Sequence, residues 1–411
     1  MRISTNQMYQ SGLNCLLSQQ ERVNKMQEQL GSGVKVRFAS DDPIAYSQME
    51  WMNQRINSTE LLQKNCMNAE NALNLEEAIL TDCVSSMQRL REIQVQAANG
   101  TSSESQRQAF ATEVTDIMHQ LQSSANAKDN DGNYLFSGGQ TSTQPFSLDA
   151  SGNYVYNGDS TQRFQLIAGS LQIAINDPGD GIFMRIPGGN GSFSISPTAT
   201  PNTGTAYLTT GSVTTPASYV PDDYTMNFAL NSAGSLVVMV SGAASGSVIP
   251  PTGLPDDAPV YEEGMSVSFN GMTIQVAGKP EAGDAFSITP AKNVSVFETI
   301  QGMIDNLNLP YNSATDKAAA VTVNNQLMAQ LDSALKSMTT TISTLGARLN
   351  QVAYSSESNQ DLIESSKITL KYLSEIDPIT VATEFNQELI NLQAAQQSFV
   401  RIQNLSVFNY I

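Results

Sequence analysis

The side chains able to do chemistry are few and poorly spaced for it. One histidine, His119, stands in a chain of 411 residues, beside a helix face carried by Ile117 and Leu121. A general base or a metal ligand needs a second group to orient it or share the site. With no second histidine, a structural role for His119 is the simpler expectation. Asp129-Asn130-Asp131-Gly132-Asn133 has the look of a calcium loop. The oxygen ligand needed two residues earlier is Ala127, however, and the glutamate that should close the loop is Gly138. The segment reads as a turn after a helix. Cys15, Cys66 and Cys83 form no CxxC pair, so neither a disulfide framework nor a zinc site is indicated. They lie on or beside apolar seams, where a small hydrophobe fits. Gly31-Ser32-Gly33 lacks the third glycine and the preceding strand of a dinucleotide loop, and Gly138-Gly139 lacks the lysine of a P-loop. The sequence predicts no catalytic residue, no cofactor and no metal, and points away from an enzyme.

Composition narrows the class further. Acids outnumber bases by 39 to 21, a formal net charge of −18. Phosphate binding needs concentrated Lys and Arg, so nucleic acid is not an expected partner. An anionic membrane surface is disfavoured for the same reason. No run of apolar residues is long enough for a spanning helix, so membrane insertion is not expected. The opening MRISTNQMYQSGLNCLLSQQ has no apolar core of the kind a cleavable Sec signal carries. Aromatic residues make up only 7% of the chain, so its core must rest mostly on aliphatic side chains, as in coiled coils.

The elements that position these groups follow from the punctuation residues. Of 16 prolines, 13 lie between Pro145 and Pro290, and 21 of 27 glycines lie between Gly132 and Gly283. Pro breaks helices and Gly weakens them, so the flanks are free to be helical and the middle is not. In the first helix Leu13, Leu16, Val23, Met26 and Leu30 share a face, and the pattern stops at Gly31-Ser32-Gly33. Asp42-Pro43 opens a second helix with an N-cap and a first-turn proline. From Leu62 the spacing alternates four and three: Leu62, Cys66, Ala69, Leu73, Glu76, Leu80, Cys83, Met87, Leu90, Gln94, Ala97. Nine of these eleven seam positions are apolar, a coiled-coil repeat. The run ends at Asn99-Gly100, and Thr101-Ser102-Ser103-Glu104 reads as a capping box for a third helix.

The other flank repeats the scheme. Leu331, Leu335, Met338, Ile342, Leu345, Leu349 and Val352 follow the same alternation, which polar Ser356 and Asn359 then dilute. Asp377-Pro378 opens a last helix whose stripe is Phe385, Leu389, Leu392, Phe399 and Ile402, continued at Leu405. An isolated helix of this length is marginal and gains its stability from packing. The terminal stripes must therefore pair with each other, with neighbouring subunits, or with both. Leu13, Leu16, Val23, Met26, Leu30, Phe385, Leu389, Leu392, Phe399, Ile402 and Leu405 are the candidate subunit-interface residues.

The middle alternates apolar and polar residues between turn signals. Tyr154–Tyr156, Phe164–Ile167, Leu171–Ile175 and Ser266–Phe269 read as strands. Asn270-Gly271 is a preferred two-residue hairpin turn leading back into Met272–Val276. The fold class is α+β and multidomain: long N- and C-terminal helices form a coiled-coil or helical-bundle stem, with a β-rich outer domain inserted. The expected divisions are 1–40 with 375–411 as terminal, assembly-dependent helices and 41–140 with 291–374 as a helical rod domain. Segments 141–186 with 262–290 form the β-hairpin part of that rod, and 187–261 is an outer variable β domain.

Gln29-Leu30-Gly31-Ser32-Gly33 followed by Ala39-Ser40-Asp41-Asp42-Pro43 resembles the "QLSSG…ASDDPA" signature of the flagellin superfamily. Leu345-Gly346-Ala347-Arg348-Leu349-Asn350 and Ile376-Asp377-Pro378 with Val381-Ala382-Thr383-Glu384 are similar to its C-terminal motifs. Tyr134–Thr141, Tyr156-Asn157-Gly158-Asp159, Gly278-Lys279-Pro280 with Gly283–Phe286, and the closing Leu405–Ile411 resemble the hook–filament junction family within it. The resemblance covers roughly 1–185 and 262–411 and fails across about 187–260. It implies a structural adaptor joining the hook, through hook-associated protein 1, to the flagellin filament. It implies a ring of like subunits, export through the flagellar type III apparatus without a Sec signal, and an extracellular position at the junction. A FlgN-type export chaperone is the implied cover for the C-terminal stripe. The alternative is a flagellin-type filament subunit.

Overall fold

The helices start and stop where backbone chemistry lets them. In the computed structural model, which describes residues 5–98, 102–198 and 202–404, α1 spans Thr5–Ser32. It ends because Gly33 takes φ +72° and returns its N–H to the Gln29 carbonyl at 2.8 Å, a left-handed cap that glycine adopts without a Cβ penalty. Helix α2, Pro43–Ala98, is capped by Asp42, whose Oδ1 accepts from the N–H groups of Ile44 and Ala45 at 3.0 Å. Helix α3 is Glu104–Ala125. Its capping box is Ser103 with Gln106, two residues beyond the expected Thr101 and Glu104. Gln106 supplies the reaching amide oxygen, whereas Glu104 falls in the first turn, where its charge complements the helix dipole. Thr101 and the expected Asn99-Gly100 stop lie outside the described residues.

The C-terminal helical flank is not one continuous pattern. Helix α4, Val296–Asn308, is capped by the Ser295 hydroxyl, which accepts from the Glu298 N–H at 2.8 Å. Pro310 lies in the break before α5, Ala314–Ser374. Helix α6, Pro378–Asn404, opens on Asp377, which accepts from the Ile379 N–H at 3.1 Å and from the Thr380 hydroxyl at 2.6 Å.

Two compact units divide the chain. One contains residues 1–66 and 354–411. In it α1 packs beside α6, and the 43–66 part of α2 meets the 354–374 part of α5. There Gln63 Nε2 donates to the Ser356 hydroxyl at 2.7 Å, Lys367 pairs with Glu60 at 2.9 Å, and the Asn359 amide meets the Cys66 sulfur at 3.6 Å. Polar Thr59, Ser355, Asn359 and Ser366 are all buried.

The other unit, 67–353, contains the rest of the predicted seam. Ala69, Leu73, Glu76, Leu80, Cys83, Met87, Leu90 and Gln94 are buried, as are Leu331, Met338, Leu345 and Val352 of α5. Beside the helices lie antiparallel pairs of β1 (Phe146–Leu148) with β2 (Tyr154–Tyr156) and of β3 (Phe164–Ala168) with β4 (Leu171–Ala174). A short π turn, Asp180–Met184, follows. Phe136, Phe146, Phe183 and Phe297 form an aromatic core there, with ring centroids 5.4–5.5 Å apart between Phe146 and Phe183 or Phe297, and between Phe136 and Phe183.

The strands that follow are β5 (Ile186–Pro187), β6 (Phe193–Pro197), β7 (Tyr207–Leu208), β8 (Ser212–Val213), β9 (Tyr224–Leu230), β10 (Leu236–Gly242) and β11 (Gly246–Ile249). After them come β12 (Ser266–Phe269), β13 (Met272–Ala277), β14 (Ala285–Pro290) and β15 (Asn293–Val294). The main sheet runs β11-β10-β9-β14-β6, a second runs β12-β13-β7 with β8 also on β13, and β15 pairs β5. The turn between β12 and β13 is the predicted one, with Asn270 at φ 42° and Gly271 at φ 77°. Pairing differs from expectation for 262–290. Phe193, Phe228, Val238, Val267, Ile274 and Ile288 share one core, so β12–β14 belong with the strands of 187–261 and not with the β3–β4 hairpin. Alternation along β13 and β14 shows that one face is buried, but it carries no information on which sheet covers it.

Candidate assembly interface

Helices α1 and α6 run antiparallel, Tyr9 reaching Phe399 at a ring separation of 5.2 Å and Arg22 reaching Glu388 at 3.7 Å. Val23 and Leu392 are the buried centre of the pair. Leu16, Met26, Leu30, Phe385, Leu389 and Phe399 are half-buried, and Leu13 is exposed. Gly12 allows the close approach: a Cβ there would lie 2.9 Å from a Phe399 ring carbon. The predicted stripes are thus brought together along one helix pair. The side chain of Ile402 and all of Leu405 lie outside the described residues.

The pair leaves several large apolar side chains in water. Leu17 is 59% exposed, Ile390 60% and Val400 54%, with Met8 and Ile379 also exposed. These residues were missed by the stripe reading, yet the sequence contains their signal. Leu16-Leu17, Leu389-Ile390 and Phe399-Val400 are apolar doublets, and adjacent helix positions do not face the same way. A doublet therefore lays apolar surface on two faces at once. A helix apolar on more than one face is characteristically a buried helix.

The residues first considered for chemistry are differently placed. His119 is exposed. The Asp129 carboxylate accepts from the N–H groups of Asp131 at 2.9 Å and Asn133 at 2.8 Å, closing its own turn. Cys15 is exposed, and burial of Cys83 pushes its thiol up to about 12. Gly138 takes φ +70°, and a Cβ there would fall 2.2 Å from the Asp159 carbonyl oxygen. Asp159 in turn accepts from the N–H groups of Gly139 at 2.8 Å and Thr161 at 3.0 Å, which hold its carboxyl below the usual range. The Gly138-Gly139 and Gly158-Asp159 motifs are two halves of one backbone clip. Among the described residues, no group of three His, Cys, Asp or Glu side chains could hold a metal ion, and no helix is long and apolar enough to cross a membrane.

One polar group stands out because of where it is buried. Glu76, at an apolar seam position of α2, is 1% exposed. Its Oε1 accepts from the Asp177 N–H at 3.0 Å. The Asp177 carboxylate receives both Arg348 amino groups, at 2.9 and 3.0 Å, and Gln162 at 2.6 Å. Desolvation first, and then the Asp177 charge, raise the Glu76 carboxyl to about 8. The two polar members of the predicted seam, Glu76 and Gln94, were its only sequence signal.

Comparison with known proteins agrees with this architecture. The bacterial flagellin N-terminal helical region matches residues 3–141, and the bacterial flagellin C-terminal helical region matches 328–411. Flagellar hook-associated protein 3 of Escherichia coli is 36% identical over 188 residues, 45% of this chain and 58% of that protein. The chain thus matches little more than half the length of this curated relative. A structure of flagellar hook-associated protein 3 from Legionella pneumophila is 57% identical, with a TM-score of 0.77 over 79% of this chain and 98% of that one. A structure of the flagellar junction protein FlgL from the same organism is 56% identical, with a TM-score of 0.75 over 80% of this chain and 100% of that one. With nearly the whole of a 57% identical relative spanned, and with flagellin helical regions at both ends, this chain belongs to the flagellar hook-associated protein 3 family of the flagellin superfamily.

Proposed function

We propose that the chain is a structural adaptor subunit at the junction between flagellar hook and filament, and not an enzyme. The observation that carries this reading is the set of large apolar side chains that the paired terminal helices leave exposed, Leu17, Ile390 and Val400, within regions that match flagellin termini. Burying such side chains against like helices of neighbouring subunits yields roughly 1.5–3 kcal/mol for each one. Repetition around a ring multiplies that gain. In this reading 1–40 with 375–411 form the assembly layer, 41–140 with 291–374 form the helical layer beside it, and the β-rich middle faces outward. Its neighbours are hook-associated protein 1 on the hook side and flagellin on the filament side. Export proceeds through the type III apparatus, with a FlgN-type chaperone covering the C-terminal stripe beforehand. A filament subunit is the rival. It is disfavoured by the higher identity to hook-associated protein 3, 36%, than to the polar flagellin A of Vibrio parahaemolyticus, 27%.

Immuno-electron microscopy of purified flagella, with antibody raised against 187–261, tests the proposal. A single band where hook meets filament is the expected result. Label along the whole filament would make this a filament subunit, and unlabelled flagella would remove the protein from the organelle altogether.

A further inference from the structure

Three separate pieces of chain meet at Glu76. It projects from α2, Arg348 comes from α5, and Asp177 comes from the turn after β4. The same turn is held from its other side by Asn176, buried at 1% exposure, whose Oδ1 accepts from the Arg163 N–H at 2.7 Å. Asp177 and Arg348 line an open cleft of about 570 Å³, together with Thr340, Thr341 and Thr344. Glu76 lies behind them and does not line the cleft. Its second oxygen, Oε2, is buried with no hydrogen-bond partner.

A carboxylate in that position would be costly. An ionised group buried without its own counter-ion costs far more than a neutral one. Arg348 is already engaged at both amino groups by Asp177. The charges that bear on Glu76 are Asp177, which opposes its ionisation, and Arg348 and then Arg163, which favour it less strongly than burial disfavours it. Ionisation would set two carboxylates beside one engaged guanidinium, with only Arg163 as a further cation.

We infer that Glu76 is a proton-operated clasp: as the neutral acid it lets the 160–180 segment dock on α2 and α5, and its ionisation loosens that segment. The docked state holds the Glu76 proton up to about pH 8, whereas a hydrated carboxyl releases it near 4.5. Docking is therefore at full strength below pH 4.5, weakens about tenfold per pH unit between there and pH 8, and falls no further above that. This sign is opposite to that of a salt-bridged carboxylate, which strengthens a fold as pH rises.

Hydrogen–deuterium exchange of the full chain, followed by mass spectrometry from about pH 5.5 to about pH 9 and corrected for the intrinsic rate, tests the clasp. Peptides covering 160–180 should lose protection about tenfold per pH unit up to the plateau. Glu76→Gln keeps the shape without the charge and should abolish that slope. Asp177→Asn removes the opposing charge and frees Arg348 for Glu76, so it should move the loss of protection to lower pH. The second variant serves even if the first fails to fold. Protection in the wild type that does not change with pH overturns the inference, and so does the same slope in Glu76→Gln.

Discussion

Two residues two positions apart on α6 separate folding from the proposed assembly. Leu392 is 8% exposed in the pair with α1, while Ile390 is 60% exposed. Aspartate at 392 places a carboxylate inside the helix pair, at a cost of several kcal/mol, and undoes α1 and α6 within one subunit. Loss of incorporation in Leu392→Asp would therefore not distinguish a folding defect from an interface defect. Aspartate at 390 sits in water in the free subunit, where surface substitutions usually stay within about 0.5 kcal/mol. In the proposed ring it would be desolvated, and the burial of isoleucine, roughly 1.5–3 kcal/mol, would be lost as well. At about 1.4 kcal/mol per tenfold, each contact weakens by a hundredfold or more. Circular dichroism melting of the free chain and the presence of the variant in purified flagella are the paired assays. Ile390→Asp should melt like the wild type and be missing from flagella, and Leu17→Asp should behave the same way. Normal incorporation of both variants would refute the reasoning, because the faces they alter would then not be buried by assembly.

Two further outcomes are expected. Phe297 is fully buried and packs against Phe146, Tyr154 and Phe183; Phe297→Ala should cost about 3–5 kcal/mol in urea unfolding, and a cost under about 1 kcal/mol would mean the aromatic core collapses freely to fill the gap. Maleimide at mildly alkaline pH should label Cys15 in the native chain and leave Cys83 unmodified, since the exposed thiol is accessible and burial holds the other as a thiol up to about 12; rapid labelling of Cys83 would show that the α2 seam opens.

Much of the fold could be read in advance because its determinants are local. Asp42-Pro43 and Asp377-Pro378 fix helix starts through one side chain and one ring, and both helices begin at those prolines. Asn270-Gly271 fixes a hairpin through φ alone. The four-and-three spacing from Cys66 to Gln94 predicted a buried seam that is buried at every position. What escaped was either a competition between neighbouring signals or a pairing between distant ones. Ser102 and Ser103 compete with Thr101 as caps, and a glutamine in place of a glutamate completes the box that forms. The break at Pro310 and the Ser295 cap of α4 were legible but lay under a longer apolar pattern. The placement of β12–β14 was not legible, since register against β7 and β9 is a long-range choice.

The candidate interface shows the same division and explains it. A stripe at helical spacing says that a helix has one face to bury, and α1 and α6 bury it in each other. Taken alone that would satisfy the sequence, and the bland reading of an ordinary intramolecular bundle would suffice. The doublets Leu16-Leu17, Leu389-Ile390 and Phe399-Val400 break that sufficiency, because no single partner helix can cover both members of each. A chain whose paired helices leave large apolar side chains exposed keeps an exposure that this pairing does not remove. In the proposed junction reading, repeated copies of the same helix pair would cover those side chains with surface of the same chemistry. In that reading assembly would use the residues beside the stripe, while the stripe itself contributes to the packing of one subunit.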